Sequence, residues 1–84
     1  MTEVEVLVRE NCPKCKEALG VVRDVIQDRG NENCDLSLDV VDIDEVPAYR
    51  ELYTDVVPVV MVDGKVEFEL FLDRNEFEEV LDQA

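Results

Sequence analysis

Between Thr2 and Arg29 the spacing of apolar side chains changes from two residues to three or four, and two cysteines stand at the change. Val4, Val6 and Val8 alternate with Glu3, Glu5 and Leu7, the period of a strand with one fully apolar face. From Pro13 to about Arg29, Cys15, Ala18, Leu19, Val22, Val25 and Ile26 recur at helical spacing, and Gly30 closes the segment. After the polar stretch Gly30-Asn31-Glu32-Asn33, Leu36, Leu38 and Val40 alternate with Ser37 and Asp39, which reads as a second strand. Strand, helix and strand in this order predict a right-handed βαβ crossover.

The second half is predicted from its breakers and caps. Asp44 can cap a short helix running to about Tyr53, with Pro47 in the first turn where its missing N–H breaks no helical bond. Val46, Tyr49 and Leu52 or Tyr53 form the buried side of that helix. The β-branched run Val56 to Val62 and the stretch Lys65 to Leu70 read as strands. Asp63-Gly64 between them predicts a two-residue hairpin, because a type I′ turn needs positive φ at both central positions. Asp73 with Glu76 fits an Asp form of the capping box, Leu72 with Phe77 a hydrophobic staple, and Phe77, Val80 and Leu81 face the core. The expected architecture is an α/β fold of order β-α-β-α-β-β-α, three helices on a mixed four-stranded sheet. A chain of 84 residues, 46% hydrophobic, can bury one modest core, so residues 1–84 are expected to form one domain.

Charge excludes several functions. Eight basic side chains against 22 acidic ones give a net charge of −14, which argues against nucleic acid or an anionic membrane as partner. The longest apolar run, Val56 to Val62, contains a proline and is too short to span a bilayer, and no basic-then-apolar segment opens the sequence. A soluble, cytoplasmic protein is expected. Two explanations of the acidity stand open: a face that docks a basic partner, or a surface suited to a salty cytoplasm. Against this background, the bases Arg9, Lys14 and Lys16 all flank the cysteine pair.

Cys12 and Cys15, three apart where a strand meets a helix, can bring their sulfurs within bonding reach. With Asn11 as the helix cap, Cys12 takes the first helical position, where unpaired N–H groups and the helix dipole favour a thiolate and Lys14 and Arg9 add positive charge. Cys15, on the face shared with Leu19 and Val22, is expected to be recessed and less ionised. Cys12 then attacks a substrate disulfide and Cys15 resolves the mixed disulfide. Two blander uses remain open. A zinc site typically needs four ligands, whereas this chain has three cysteines and no histidine, so no metal ligand is assigned. A permanent structural disulfide at this spacing closes too small a loop to constrain the unfolded chain much. Cys34 reads as a small hydrophobe entering the second strand, with a regulatory or dimer-forming thiol as the alternative.

Pro58 interrupts an apolar strand, where a missing N–H breaks a ladder bond unless the strand begins there. Taken with Cys12-Pro13-Lys14-Cys15 after the first strand and the Asp63-Gly64 hairpin, Val57-Pro58 resembles the glutaredoxin branch of the thioredoxin superfamily. The resemblance extends to Val41-Asp42-Ile43-Asp44, to Arg50 with Tyr53, and to Val57-Pro58-Val59, as in short glutaredoxin-like domains. It implies the thioredoxin fold, a cis Val57–Pro58 bond lying against the cysteine pair, and a Val57 backbone that pairs with substrate.

The resemblance implies a thiol–disulfide oxidoreductase with Cys12 and Cys15 as catalytic residues and Arg9, Pro13, Lys14, Val57 and Pro58 contacting substrate. The implied partners are disulfide-containing proteins and a reductase or low-molecular-weight thiol, with the protein acting as a monomer. No bound cofactor is expected, because the electrons reside on the two thiols. Glutathione-using relatives carry a Gly-Gly pair and an acidic residue after the hairpin. Here Phe68-Glu69-Leu70-Phe71-Leu72-Asp73 stands in that place, and Glu67 and Glu69 would repel an anionic tripeptide, so glutathione is disfavoured as co-substrate. The competing function is a non-enzymatic module of the same fold that holds a metal or iron–sulfur centre between two chains through Cys12.

Overall fold

The computed structural model describes residues 2–30 and 36–83, so Cys34 and most of the expected polar loop lie outside the described residues. The elements are β1 (Thr2–Val8), α1 (Pro13–Gly30), β2 (Leu36–Asp42), α2 (Pro47–Tyr53), β3 (Val59–Val62), β4 (Lys65–Glu69) and α3 (Arg74–Gln83), with a 3-10 turn at Ile43–Glu45. The strands lie in the order β2-β1-β3-β4. β1 runs parallel to β2 and antiparallel to β3, and β3 runs antiparallel to β4. The expected element order and mixed four-stranded sheet with three helices are those observed.

Both faces of the sheet are covered, which one alternating strand pattern did not show. On one face Val4, Val6, Val60 and Val62 pack with Val22 and Val25 of α1 and Phe77 and Leu81 of α3. On the other, Leu7, Val59 and Met61 pack with Ile43 of the 3-10 turn and with Tyr49 and Tyr53 of α2. The central strands β1 and β3 therefore carry apolar side chains in both directions, and all of Val59 to Val62 is buried. β2 lies at an edge, and there Val40 remains 42% exposed although it continues the alternation of Leu36 and Leu38.

The Asp63-Gly64 hairpin forms as expected, with φ of 51° and 81° at its two central residues. The Asp63 side chain and backbone fasten it to β1: Glu3 N–H donates to Asp63 Oδ1 at 2.9 Å, and Asp63 N–H donates to the Glu3 carbonyl at 2.8 Å. Beyond the turn, the register of β4 against β3 slips between Val60 and Met61. The extra residue lets Val66 pack on the α2 face and Phe68 on the α1–α3 face, although they are two apart.

The expected cap after β2 is corrected. Asp42, not Asp44, caps the segment after β2: its carboxylate accepts from Asp44 N–H at 2.9 Å and starts the 3-10 turn. α2 then begins at Pro47 with no side-chain cap, and Leu52 points out, 68% exposed, leaving half-buried Tyr49 and Tyr53 as the side packed on the sheet. The Asp73 cap of α3 is as expected, accepting from Asn75 N–H at 2.8 Å and Glu76 N–H at 3.2 Å. β3 starts at Val59, so Val56, Val57 and Pro58 form an approach to the strand rather than part of it.

Candidate active site

The cysteine pair lies where β1 ends and α1 begins. Asn11 has φ of 58° and turns the chain in the left-handed region, which asparagine tolerates better than most residues. It is therefore a turn residue and not the helix cap that its side chain suggests. The cap is Cys12 itself. Its carbonyl accepts from Lys16 N–H at 3.2 Å, and its Sγ accepts from Cys15 N–H at 3.2 Å. Pro13 occupies the first helical position, where the ring is preorganised and no donor is lost.

This local geometry makes the two sulfurs unequal. Cys12 is partly exposed in the wall of an open groove, whereas Cys15 is 2% exposed and faces inward. The Cα atoms are 5.2 Å apart, inside the range a bridge requires, and the sulfurs are bonded to each other. In the dithiol form the amide that now points at Cys12 Sγ can donate to a thiolate there, and the N-terminus of α1 adds its positive end.

Five residues singled out in the sequence line one groove of about 440 Å³: Arg9, Cys12, Pro13, Lys14 and Val57. Pro58 is fully buried and is not among the lining residues, and the Val57–Pro58 bond is cis. Glu10, Asn11 and Thr54 complete the lining. Thr54 carries no motif; it arrives because α2 ends beside the groove, with its hydroxyl donating to the Arg50 carbonyl. Asp44 is a further residue that spacing alone did not reveal. Its carboxylate lies 3.5 Å from Arg9 and 3.8 Å from Arg50, so the positive charge of Arg9 beside Cys12 is partly balanced from the α2 side. Lys14 is exposed, its charge carried on the same turn of helix as the pair.

One backbone feature has no counterpart among the sequence motifs. Leu70, just past β4, has φ of 74°, and its N–H donates to the carbonyls of both Val56 (3.0 Å) and Pro58 (2.9 Å). The chain leaving β4 is thus tied to the Val56–Pro58 approach that forms one wall of the groove. Among the described residues no three Cys, His, Asp or Glu side chains converge as metal ligands, and no helix is long and apolar enough to cross a membrane.

The fold is shared with solved thioredoxins. Mitochondrial thioredoxin 3 from Saccharomyces cerevisiae, in its oxidised form, is 18% identical with a TM-score of 0.70, over 99% of this chain and 78% of that one. A thioredoxin from Halobacterium salinarum is 20% identical with a TM-score of 0.69, over 98% of this chain and 73% of that one. Protein Ne2328 from Nitrosomonas europaea is 26% identical with a TM-score of 0.74, over 94% of this chain and 89% of that one. No curated protein sequence matches the chain. With a thioredoxin-type fold and a Cys-x-x-Cys pair at the head of its first helix, the chain matches the family described as Glutaredoxin-like domain (DUF836) over residues 3–82, and it belongs to that family.

Proposed function

We propose that this protein is a dithiol–disulfide oxidoreductase that reduces disulfides in proteins or small molecules through Cys12 and Cys15. The observation that carries the proposal is the inequality of the two sulfurs: Cys12 caps α1 and opens onto a groove, while Cys15 is buried 5.2 Å behind it, Cα to Cα. A fold shared with thioredoxins and a nearby cysteine pair support redox chemistry in general.

In the reaction proposed, the Cys12 thiolate attacks one sulfur of the substrate disulfide. A Cys12–substrate bond forms, the substrate S–S bond breaks, and the first thiolate leaves and takes a proton. Cys15 loses its proton and attacks Cys12 Sγ, closing the intramolecular bridge and releasing the second substrate thiol. Two electrons pass from the protein to the substrate, with one proton from Cys15 and one from solvent. An external reductase or low-molecular-weight thiol restores the dithiol, and no bound cofactor takes part.

The neighbouring residues serve this chemistry by position. Pro13 holds the first turn so that the amide of Cys15 points at Cys12 Sγ. Lys14 and Arg9 supply positive charge that favours the thiolate. Val57, on the groove wall opposite the helix start and followed by buried Pro58, offers its backbone to an extended substrate segment.

The test is trapping with Cys15→Ser. That variant accumulates a mixed disulfide between Cys12 and a disulfide substrate, seen by mass spectrometry and released by dithiothreitol. Absence of any adduct beyond that of a Cys12→Ser/Cys15→Ser control would overturn the assignment.

A further inference from the structure

Two bulky apolar side chains stand in solvent next to the redox groove. Phe71 is 72% exposed and Leu70 is 43% exposed, and Leu70 does so from a left-handed backbone that glycine adopts freely and leucine only at a cost. The backbone strain is offset by the two hydrogen bonds of the Leu70 N–H, but the exposure of both side chains brings the isolated fold nothing. Such a combination beside a candidate site points to a function for the side chains.

What they border is a second groove, of about 290 Å³, between the Leu70–Leu72 turn and the first turns of α1, where Lys14, Glu17, Ala18 and Val21 complete its walls. Lys14 also lines the groove that holds Cys12. The Leu70 N–H is bonded to the Pro58 carbonyl, one residue from Val57. The two grooves therefore share Lys14 in their walls, and the apolar one is fixed beside the redox groove through the β4 exit.

Charge selects the occupant. Lys14 and Glu17 offset one another in the lining; beyond the bases Arg9, Lys14 and Lys16 that flank the cysteines, Glu69 and Asp73 are exposed on either side of the Leu70–Leu72 turn of a chain whose net charge is −14. A second copy of this chain meets the same charge and is repelled, and an anionic tripeptide thiol is repelled by the same carboxylates. We infer that the Leu70–Phe71 groove receives a bulky apolar side chain from a disulfide-bearing polypeptide segment flanked by basic residues. The inference rests on the oxidoreductase reading above and names its substrate class.

The test uses three probes with the reduced full-length protein. Two are synthetic peptides, each with an internal disulfide and a Phe beside one cysteine, identical except that one is flanked by lysines and the other by glutamates. The third is the uncharged bis(2-hydroxyethyl) disulfide. The lysine-flanked peptide should be reduced about tenfold faster than the glutamate-flanked one at low salt, with the ratio falling at high salt. Phe71→Ala should lower the ratio of the lysine-peptide rate to the small-disulfide rate by about fivefold. Equal rates for the two peptides, or a ratio untouched by Phe71→Ala, would refute the docking inference while leaving the oxidoreductase reading standing. A dimer in sedimentation that Phe71→Ala dissolves would also refute it, because a second copy would then cover the patch. Failure of the wild-type protein to reduce any of the three probes would overturn the oxidoreductase reading itself and this inference with it.

Discussion

Reduction of the Cys12–Cys15 bridge separates a redox pair from a structural staple. The bridge joins residues only 3 apart. Chain entropy for so short a loop favours the oxidised fold by about 1.9 kcal/mol, compared with about 4.7 kcal/mol for a loop of about a hundred residues. Reduction gives something back. Cys12 Sγ, which accepts from Cys15 N–H at 3.2 Å, becomes free to carry a charge at the N-terminus of the 18-residue helix α1. A charged group there contributes about 0.3–1 kcal/mol through the helix dipole, whereas the cap hydrogen bond is already present in the bridged form and adds nothing on reduction. The net difference is small, so the oxidised and reduced proteins should unfold within about 1.5 kcal/mol of each other. By linkage, the potential of the native pair then lies within about 30 mV of that of the unfolded chain. Urea titrations followed by far-ultraviolet circular dichroism, with and without excess dithiothreitol, measure the difference. A reduced protein less stable by more than about 3 kcal/mol would refute the reasoning, since the bridge would then behave as a structural disulfide.

Three other outcomes follow from the same structure. Phe77 is fully buried and meets Phe68 edge-on at 6.3 Å, so Phe77→Ala should cost about 3–5 kcal/mol in urea unfolding, and Phe77→Leu should recover most of it. A loss under about 1 kcal/mol would mean that α3 is not part of the cooperative core. Asp44→Asn removes the negative charge lying 3.5 Å from Arg9 and 3.8 Å from Arg50, so the pH midpoint for alkylation of Cys12 by iodoacetamide should move down; a midpoint that stays or rises would show that these arginines do not influence the thiol. With a net charge of −14, the urea midpoint should rise as sodium chloride is added; a fall would mean that the ion pairs joining α1 and α3, Arg29 with Asp82 and Arg74 with Asp24 and Asp28, outweigh self-repulsion.

The element order, the parallel β1–β2 pair, the Asp63-Gly64 hairpin and the Asp73 cap were legible in the sequence because each rests on a local rule. Alternation, helical spacing and turn chemistry act over a few residues. What escaped depends on contacts between distant segments. Asn11 and Asp44 both look like helix caps, and neither is one: Cys12 caps α1, Asp42 caps the 3-10 turn, and α2 has no side-chain cap, while Asp44 turns to Arg9 and Arg50. The slip between β3 and β4 has no residue signature, yet it decides that Val66 and Phe68 face opposite sides. Leu70 is the clearest case, since nothing about leucine announces positive φ. Its conformation is imposed by two carbonyls, those of Val56 and Pro58, that approach from another part of the chain. At the site, the unequal burial of Cys12 and Cys15 was readable from helical spacing. The balancing of Arg9 by Asp44 required the fold.

The central claim is that Cys12 attacks the substrate disulfide and that Cys15 then closes the bridge behind it. It is tested most directly by mixing the reduced protein with a stoichiometric small disulfide and following both partners by mass spectrometry under acid quench. One equivalent of substrate disulfide should be consumed for each protein that gains the Cys12–Cys15 bridge, and Cys12→Ser should stop the reaction. Substrate reduction that persists at the wild-type rate in Cys12→Ser would contradict the account.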